Sequence, residues 1–336
     1  MVGMSLWASP SRDVCNPKGH DEERRPPSGS KAFARRLAAC RDPVDFVVFA
    51  NRTFDVVKPA RCAQTRASAS EDPMRLSVFW TVGPGLYSDE VIREQLALLD
   101  SSGLAARAQA LRVGAHDYYG ASWQDDVGRD LRQNASRAYP WSPKLQAIRL
   151  GSASEAWWSQ QEKFFEFYTL EGLWSHCQQA RQPDKEAVLY IHTKGSTNGK
   201  SAWRHIMSHF TVQHFQDCVD QLQCGASTCG SNLANPLGKA KWNFPHYSGN
   251  FFWARCDYIR LLPNPQPKSS DLSLAGGGCP YGDPPTGRYL AEWWLMGSNR
   301  DYTQTRVYKN CWGSQSSVRF CRDAPFKDVP RCAASS

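Results

Sequence analysis

From about residue 74 onward, short apolar runs alternate with longer amphipathic stretches. Arg75–Val82, RLSVFWTV, is β-branched and aromatic and stops at Gly83-Pro84-Gly85, so it reads as a strand ending in a turn. Ser88 before Asp89 and Glu90 suits an N-cap with first-turn acids. Val91, Ile92, Leu96, Leu98 and Leu99 then mark a helical face that closes at Ser101-Ser102-Gly103. Ala110–Val113 follows as a second strand. Residues Ser154–Gln178 read as one long helix with an aromatic stripe including Trp157, Phe165 and Tyr168, with Gly172 as its weak point. AVLYI (Ala187–Ile191) is a continuous apolar run suited to a covered central strand. It empties into the polar loop His192–Lys200, after which Ser201–Gln223 resumes as helix. Tyr289–Met296 reads as a last short helix. The alternation predicts an α/β fold with a mostly parallel sheet carrying 76–82, 110–113 and 187–191 and helices on both faces.

Residues 1–73 break this rhythm. They are polar and rich in Pro and Gly, as in NPKGHDEERRPPSGS, and read as a poorly structured N-terminal arm. Within them DFVVFANRTFDVV (Asp45–Val57) fits an added strand or hairpin. Residues 74–310 form the expected single domain, and 311–336 a cysteine-bearing C-terminal tail.

Composition narrows the class. Hydrophobic residues at 41%, charged at 21% and aromatic at 12% argue against wholesale disorder. No run of 18 apolar residues occurs, so no transmembrane segment is expected, and the first residues lack the apolar core of a signal peptide. The net charge of +8 permits an anionic ligand, but the basic residues are scattered, so nucleic acid is not an expected partner. Twelve cysteines include no C-x-x-C pair, which excludes a zinc knuckle; Cys224 with Cys229, and Cys311, Cys321 and Cys332, could form bridges. These, with sequons at Asn51 and Asn134, lean toward a secretory or Golgi lumen, while the missing leader leaves the cytoplasm open.

Chemistry concentrates in three places. His192-Thr193-Lys194-Gly195, directly after a strand, gathers charge and hydrogen-bond donors as a diphosphate would require, although a solvated basic loop has the same composition. The spacing is not that of a Walker A loop. His246-Tyr247-Ser248-Gly249-Asn250 before Phe251-Phe252-Trp253 suits a strand entered from a cleft, with Gly249 admitting a ligand close to the backbone. Glu292, beside Trp293 and Trp294, suits a general base, and equally an i,i+4 ion pair with Arg288. His205 and His209 share a helical spacing but lack the Glu of a zincin, so two polar positions on an amphipathic helix are expected there.

The order of VLYIHTKG (188–195), WR (203–204), CGSN (229–232), HYSGNFFWARCDYI (246–259) and RYLAEWW (288–294), with EFYTLEGLW (166–174), resembles the GT-A-type nucleotide-diphospho-sugar glycosyltransferases, in a branch marked by a His-Thr-Lys-Gly loop. The resemblance spans about 74–310. It implies a GT-A-like, Rossmann-like fold and transfer of a sugar from a nucleotide-sugar co-substrate to a glycan, polysaccharide or glycoprotein hydroxyl. It further implies donor diphosphate binding by His192, Thr193, Lys194, Gly195 and Arg204. Acceptor or sugar contacts would come from His246, Ser248, Gly249, Asn250 and Trp253, with Glu292 as catalytic base. Such enzymes commonly hold Mn²⁺ or Mg²⁺ with an Asp-x-Asp motif, whereas here the strand ends in His192-Thr193-Lys194. Either Lys194 offsets the diphosphate without a metal, or ligands lie elsewhere, as among Asp117, Asp125 and Asp126. Two other classes stay open: an inactive carbohydrate- or protein-binding module of the same fold, and a phosphotransferase or nucleotidyltransferase.

Overall fold

The computed structural model describes residues 73–83, 88–115, 138–161, 165–196, 201–231, 246–268 and 287–297, the strand segments 46–49, 52–55, 233–234 and 307–309, and residues 131, 135 and 285. In the N-terminal region β1 (Phe46–Phe49) and β2 (Arg52–Asp55) pair antiparallel as a hairpin, Phe46 opposite Asp55. The rest of the expected arm and the 311–336 tail lie outside the described residues.

Among the described residues the main sheet has seven strands: β3 (Arg75–Val82), β4 (Ala110–Ala115), β5 (Leu145–Ala147), β6 (Glu186–His192), β7 (Thr228–Gly230), β10 (Phe252–Arg255) and β11 (Val307–Lys309), in the order β11-β7-β10-β6-β3-β4-β5. The pairs β3–β4, β3–β6, β4–β5 and β7–β11 are parallel, while β10 runs antiparallel to both β6 and β7. The sheet is therefore mixed, with its parallel part around the expected strands. A further two-stranded ladder joins β8 (Leu233–Ala234) to β9 (His246–Tyr247).

Period-two alternation sends each strand's side chains to two separate apolar layers. Leu76, Val78, Trp80 and Val82 of β3, Ala187, Leu189 and Ile191 of β6, and Trp253 of β10 face one layer. It is completed by α1 (Ser88–Ser101), α2 (Leu104–Arg107), α5 (Ser201–Ser208) and α6 (Phe215–Gln223). Phe79, Val188, Tyr190, Phe252 and Ala254 face the other layer. Its cover is α3 (Ser152–Trp158), α4 (Phe167–Gln179), α7 (Cys256–Ile259) and α8 (Tyr289–Gly297). Helices thus cover both faces of an open sheet.

Two expected helices are divided. The 154–178 stretch breaks between α3 and α4, where Phe165 takes φ 44°, a left-handed conformation costly for an aromatic residue. Gly172 does not interrupt α4. It lets the helix lie against β5's continuation, since a Cβ there would stand 2.6 Å from Ile148 Cγ2. The 201–223 stretch passes through a π-helical turn at His209–Gln213, whose Thr211 carbonyl accepts the Trp253 indole N–H at 2.7 Å. Cysteine pairing also differs from the expectation. Cys229 bonds to Cys218 rather than Cys224, and Cys177 bonds to Cys256. Cys224 is itself disulfide-bonded. The four residues between Cys224 and Cys229 carry the chain through the turn into β7, whereas Cys218 on the buried face of α6 lies directly over that strand.

Candidate functional site

From β3 the chain crosses by α1 to β4 on one side, whereas β6 enters on the other side of β3. The strand order reverses there, and in open α/β sheets ligands bind outside the carboxyl ends of strands at such a switch point. Thr81 to Gly83 and His192 to Ser196 occupy those ends. Thr193 N–H donates to the Thr81 carbonyl at 3.0 Å, and Gly83 N–H to Thr193 Oγ1 at 2.8 Å, so the two ends are stitched together. Thr193 thereby joins the two strand ends. Ser196 N–H returns to the Thr193 carbonyl at 3.2 Å with Gly195 at φ 84°, the third position of a type II turn, where glycine is the residue of choice. Gly195 thus answers a backbone demand.

Beneath this turn lies a buried carboxylate network. The helix break sets Glu166 against β6. Thr81 Oγ1 lies 2.9 Å from Tyr190 OH, and the Tyr190 hydroxyl donates to Glu166 Oε2 at 2.9 Å. Asn250 Nδ2 donates to the same oxygen at 2.7 Å. Asn250 takes φ 60°, a left-handed conformation that asparagine tolerates. His192 Nδ1 lies 3.7 Å from Glu166 Oε1, and His192 Nε2 lies 2.8 Å from the Gly249 carbonyl oxygen. Burial works against the Glu166 charge, but His192, Asn250, Lys194 and Tyr190 outweigh it and hold its pKa below the ordinary value. Burial lowers the His192 pKa, against the pull of Glu166. Neutral His192 has its one N–H committed to Gly249, so it has none to offer a diphosphate. Its expected place among the phosphate donors does not fit this geometry.

Cationic groups lie on the side toward α1 and α5. Lys194 Nζ stands 5.0 Å from the Trp203 ring centroid, within cation–π range. Arg204 is buried, donates to Glu94 through Nε and Nη2, and through Nη1 to the Lys194 carbonyl at 2.7 Å. Its guanidinium is thus spent on fixing the loop rather than presented to a ligand. His205 Nε2 also meets Glu94, at 3.1 Å. His209 Nδ1 lies 3.0 Å from Gln213 Oε1, so the two histidines serve separate partners.

Glu292 on α8 reaches His246 Nε2 at 3.5 Å and acts electrostatically on both His192 and Arg288. Glu292, His246, His192, Lys194 and Asn250 therefore gather around one end of the sheet. Ser248 contributes its carbonyl to the Trp203 indole N–H at 3.2 Å. Gly249 has φ 96°, and a Cβ there would stand 2.9 Å from Trp203 Nε1 and overlap Met207. The space beside it is thus filled by the protein, not left to a ligand. Trp253 does not join the site. It is fully buried in the opposite layer, because alternation along β10 points it away from Phe252 and its neighbours. Glu166, Tyr190 and Glu94 were not among the expected site residues; the only sequence signal for Glu166 was its place at the head of EFYTLEGLW.

Among the described residues one group of three metal-type side chains gathers, His176 on α4, Cys256 on α7 and Glu186 at the start of β6, the opposite end of that strand from this site. Cys256 is tied to Cys177, and Glu186 is held by His176 at 2.6 Å and Arg75 at 3.1 Å, so the group is committed internally. Asp117, Asp125 and Asp126 lie outside the described residues. No helix of the described residues is long and apolar enough to cross a membrane.

No curated protein matches the sequence. Residues 88–299, more than half of the chain and including every side chain of the network except Thr81, match the profile of one family, and the chain belongs to it: the family described as Domain of unknown function (DUF8361).

Proposed function

We propose that the protein is a glycosyltransferase of GT-A-like fold, moving a sugar from a nucleotide-diphosphate donor to a hydroxyl of a glycan or glycoprotein. The observation that carries this reading is the opposition of charge at the switch point. Lys194, beside Trp203, supplies a cation where a departing diphosphate needs one. Glu166, His192 and Glu292 lie on the other side of the same strand end, where a neutral hydroxyl would be held and deprotonated. Glu292 and His192 are the two groups there able to take the acceptor's proton, and the resemblance of RYLAEWW points to the first. Lys194 takes the part that Mn²⁺ or Mg²⁺ plays beside an Asp-x-Asp motif. The disulfides Cys177–Cys256 and Cys218–Cys229 support an oxidising compartment such as a secretory or Golgi lumen.

The test is a thermal-shift screen of nucleotide sugars with and without Mn²⁺ or Mg²⁺, followed by mass spectrometry of acceptor panels. A ligand at 100 times its Kd stabilises the native state by about 2.7 kcal/mol, so a binder raises the melting temperature by several degrees. Expected is a shift without added metal and transfer of the sugar. A shift without transfer to any acceptor would make the protein a binding module, and transfer of phosphate would make it a phosphotransferase.

A further inference from the structure

The tautomer of His192 follows from its neighbours. Nε2 lies 2.8 Å from the Gly249 carbonyl oxygen, and a carbonyl only accepts, so Nε2 carries the hydrogen. In the neutral ring Nδ1 is then a bare acceptor. It faces Glu166 Oε1, another acceptor, across 3.7 Å, while the second carboxylate oxygen is committed to Tyr190 and Asn250. Two acceptors facing each other are unfavourable until a donor comes between them.

Resting on the glycosyltransferase reading, we propose that this gap seats the acceptor's hydroxyl and that His192 Nδ1, positioned and charge-balanced by Glu166, takes its proton. The O–H bond breaks and an N–H bond forms at Nδ1. The oxygen's electron pair makes the bond to the anomeric carbon of the donor sugar. The bond from that carbon to the diphosphate oxygen breaks, and the diphosphate leaves with its electrons toward Lys194. The imidazolium then donates from Nδ1 to Glu166 and from Nε2 to Gly249.

The surroundings suit that role. The ring is clamped between Tyr190, stacked at 6.3 Å between centroids, and Phe251, edge-on at 5.2 Å, so Nδ1 keeps its aim. The charged groups acting on it are Glu166 at the head of α4, Lys194 in its own loop and Glu292 on α8, the two acids pulling its pKa up and Lys194 pushing it down. Burial dominates and lowers it, leaving the ring neutral at pH 7 and ready to accept a proton. The side chains of His192 and Glu166 keep 11% and 16% exposure. Two carboxylates nearby select a neutral sugar hydroxyl over an anionic acceptor.

The test uses the full chain labelled with ¹⁵N-histidine. In long-range ¹H–¹⁵N NMR, the His192 signals are those missing from His192→Gln. A neutral Nε2–H tautomer is expected at pH 7.5, and an Nδ1–H tautomer overturns the proposal whatever the activity. With a nucleotide sugar that the wild type turns over, His192→Gln should lower kcat about 10²–10⁴-fold and leave donor affinity within about twofold. Glu166→Gln should move the acidic limb of kcat/KM to lower pH, since losing the carboxylate makes the imidazole easier to deprotonate; Glu292→Gln should move it in the same direction but less, as the weaker of the two acids acting on the ring. Near-wild-type turnover by folded His192→Gln, or a limb that moves only in Glu292→Gln, overturns the proposal in favour of Glu292. Should Glu166→Gln fail to fold, His192→Gln and the tautomer still decide. Failure of every nucleotide sugar to bind the wild type overturns the parent reading and this proposal with it, whereas turnover with an inert His192 overturns only the latter.

Discussion

Arg204 grips Glu94 through two hydrogen bonds, Nε to Oε1 at 3.1 Å and Nη2 to Oε2 at 2.6 Å. With its third donor on the Lys194 carbonyl, one guanidinium ties α1 to the turn after β6. The lysine proposed to meet the diphosphate therefore sits on backbone held from two sides.

That pair gives acid sensitivity a defined source. Burial opposes the Glu94 charge, but His205 and Arg204 prevail and lower its pKa from 4.5 to about 2. A depressed carboxylate stabilises the fold fully above its unfolded pKa and loses that contribution as pH falls from about 4.5 toward 2. Urea unfolding across that range should show a loss of stability in wild type that is smaller in Glu94→Gln, the lowered Glu166 and Glu186 carboxylates supplying the remainder. At pH 7 the variant should be less stable by roughly 1–3 kcal/mol.

Lys194→Ala should weaken nucleotide-sugar binding by about 1.5–3 kcal/mol, the worth of a charged hydrogen bond. Isothermal titration calorimetry measures it. Unchanged affinity in a folded variant would remove Lys194 from the donor site and turn attention to Arg288, on the same side as Glu292.

Gly249→Ala should cost at least about 1–3 kcal/mol, because φ 96° disfavours any side chain and the new methyl would collide with Met207 and Trp203. Since the Gly249 carbonyl anchors His192, the NMR signals of that ring should shift as well. A thermal melt matching wild type would show that the β9–β10 turn readily moves.

Replacing both Cys177 and Cys256 with serine opens a cross-link spanning 79 residues and should cost about 2–5 kcal/mol. The bridge pins α4 to α7 in the layer beneath the site, remote from Lys194. Donor affinity should therefore survive at temperatures where the variant remains folded, as calorimetry below its melting point would reveal.

Much of the frame was readable along the chain. RLSVFWTV and AVLYI carry β-branched and aromatic residues bounded by turn formers, and they became adjacent parallel strands with helices on both faces. The His192–Gly195 loop was visible because a polar, glycine-containing segment follows a buried strand directly. Local patterning suffices for such features, since period and punctuation are properties of neighbouring residues. The break at Phe165 was not visible, because the aromatic periodicity of 154–178 continues through it. Nor was the choice of Cys218 over Cys224, since bridge partners are set by distance in space.

Sequence alone determined the element types and which strand end would carry polar chemistry, as both depend on residues a few positions apart. Only the tertiary structure decided what each polar residue does. Glu166 and Asn250, 84 residues apart, become hydrogen-bonded because the head of α4 and the β9–β10 turn converge over β6. Arg204 is spent on Glu94, and Trp253 turns to the opposite layer by the alternation of its strand. The chemistry of a side chain comes with its residue type, but its burial, its partners and its remaining free atoms come from packing.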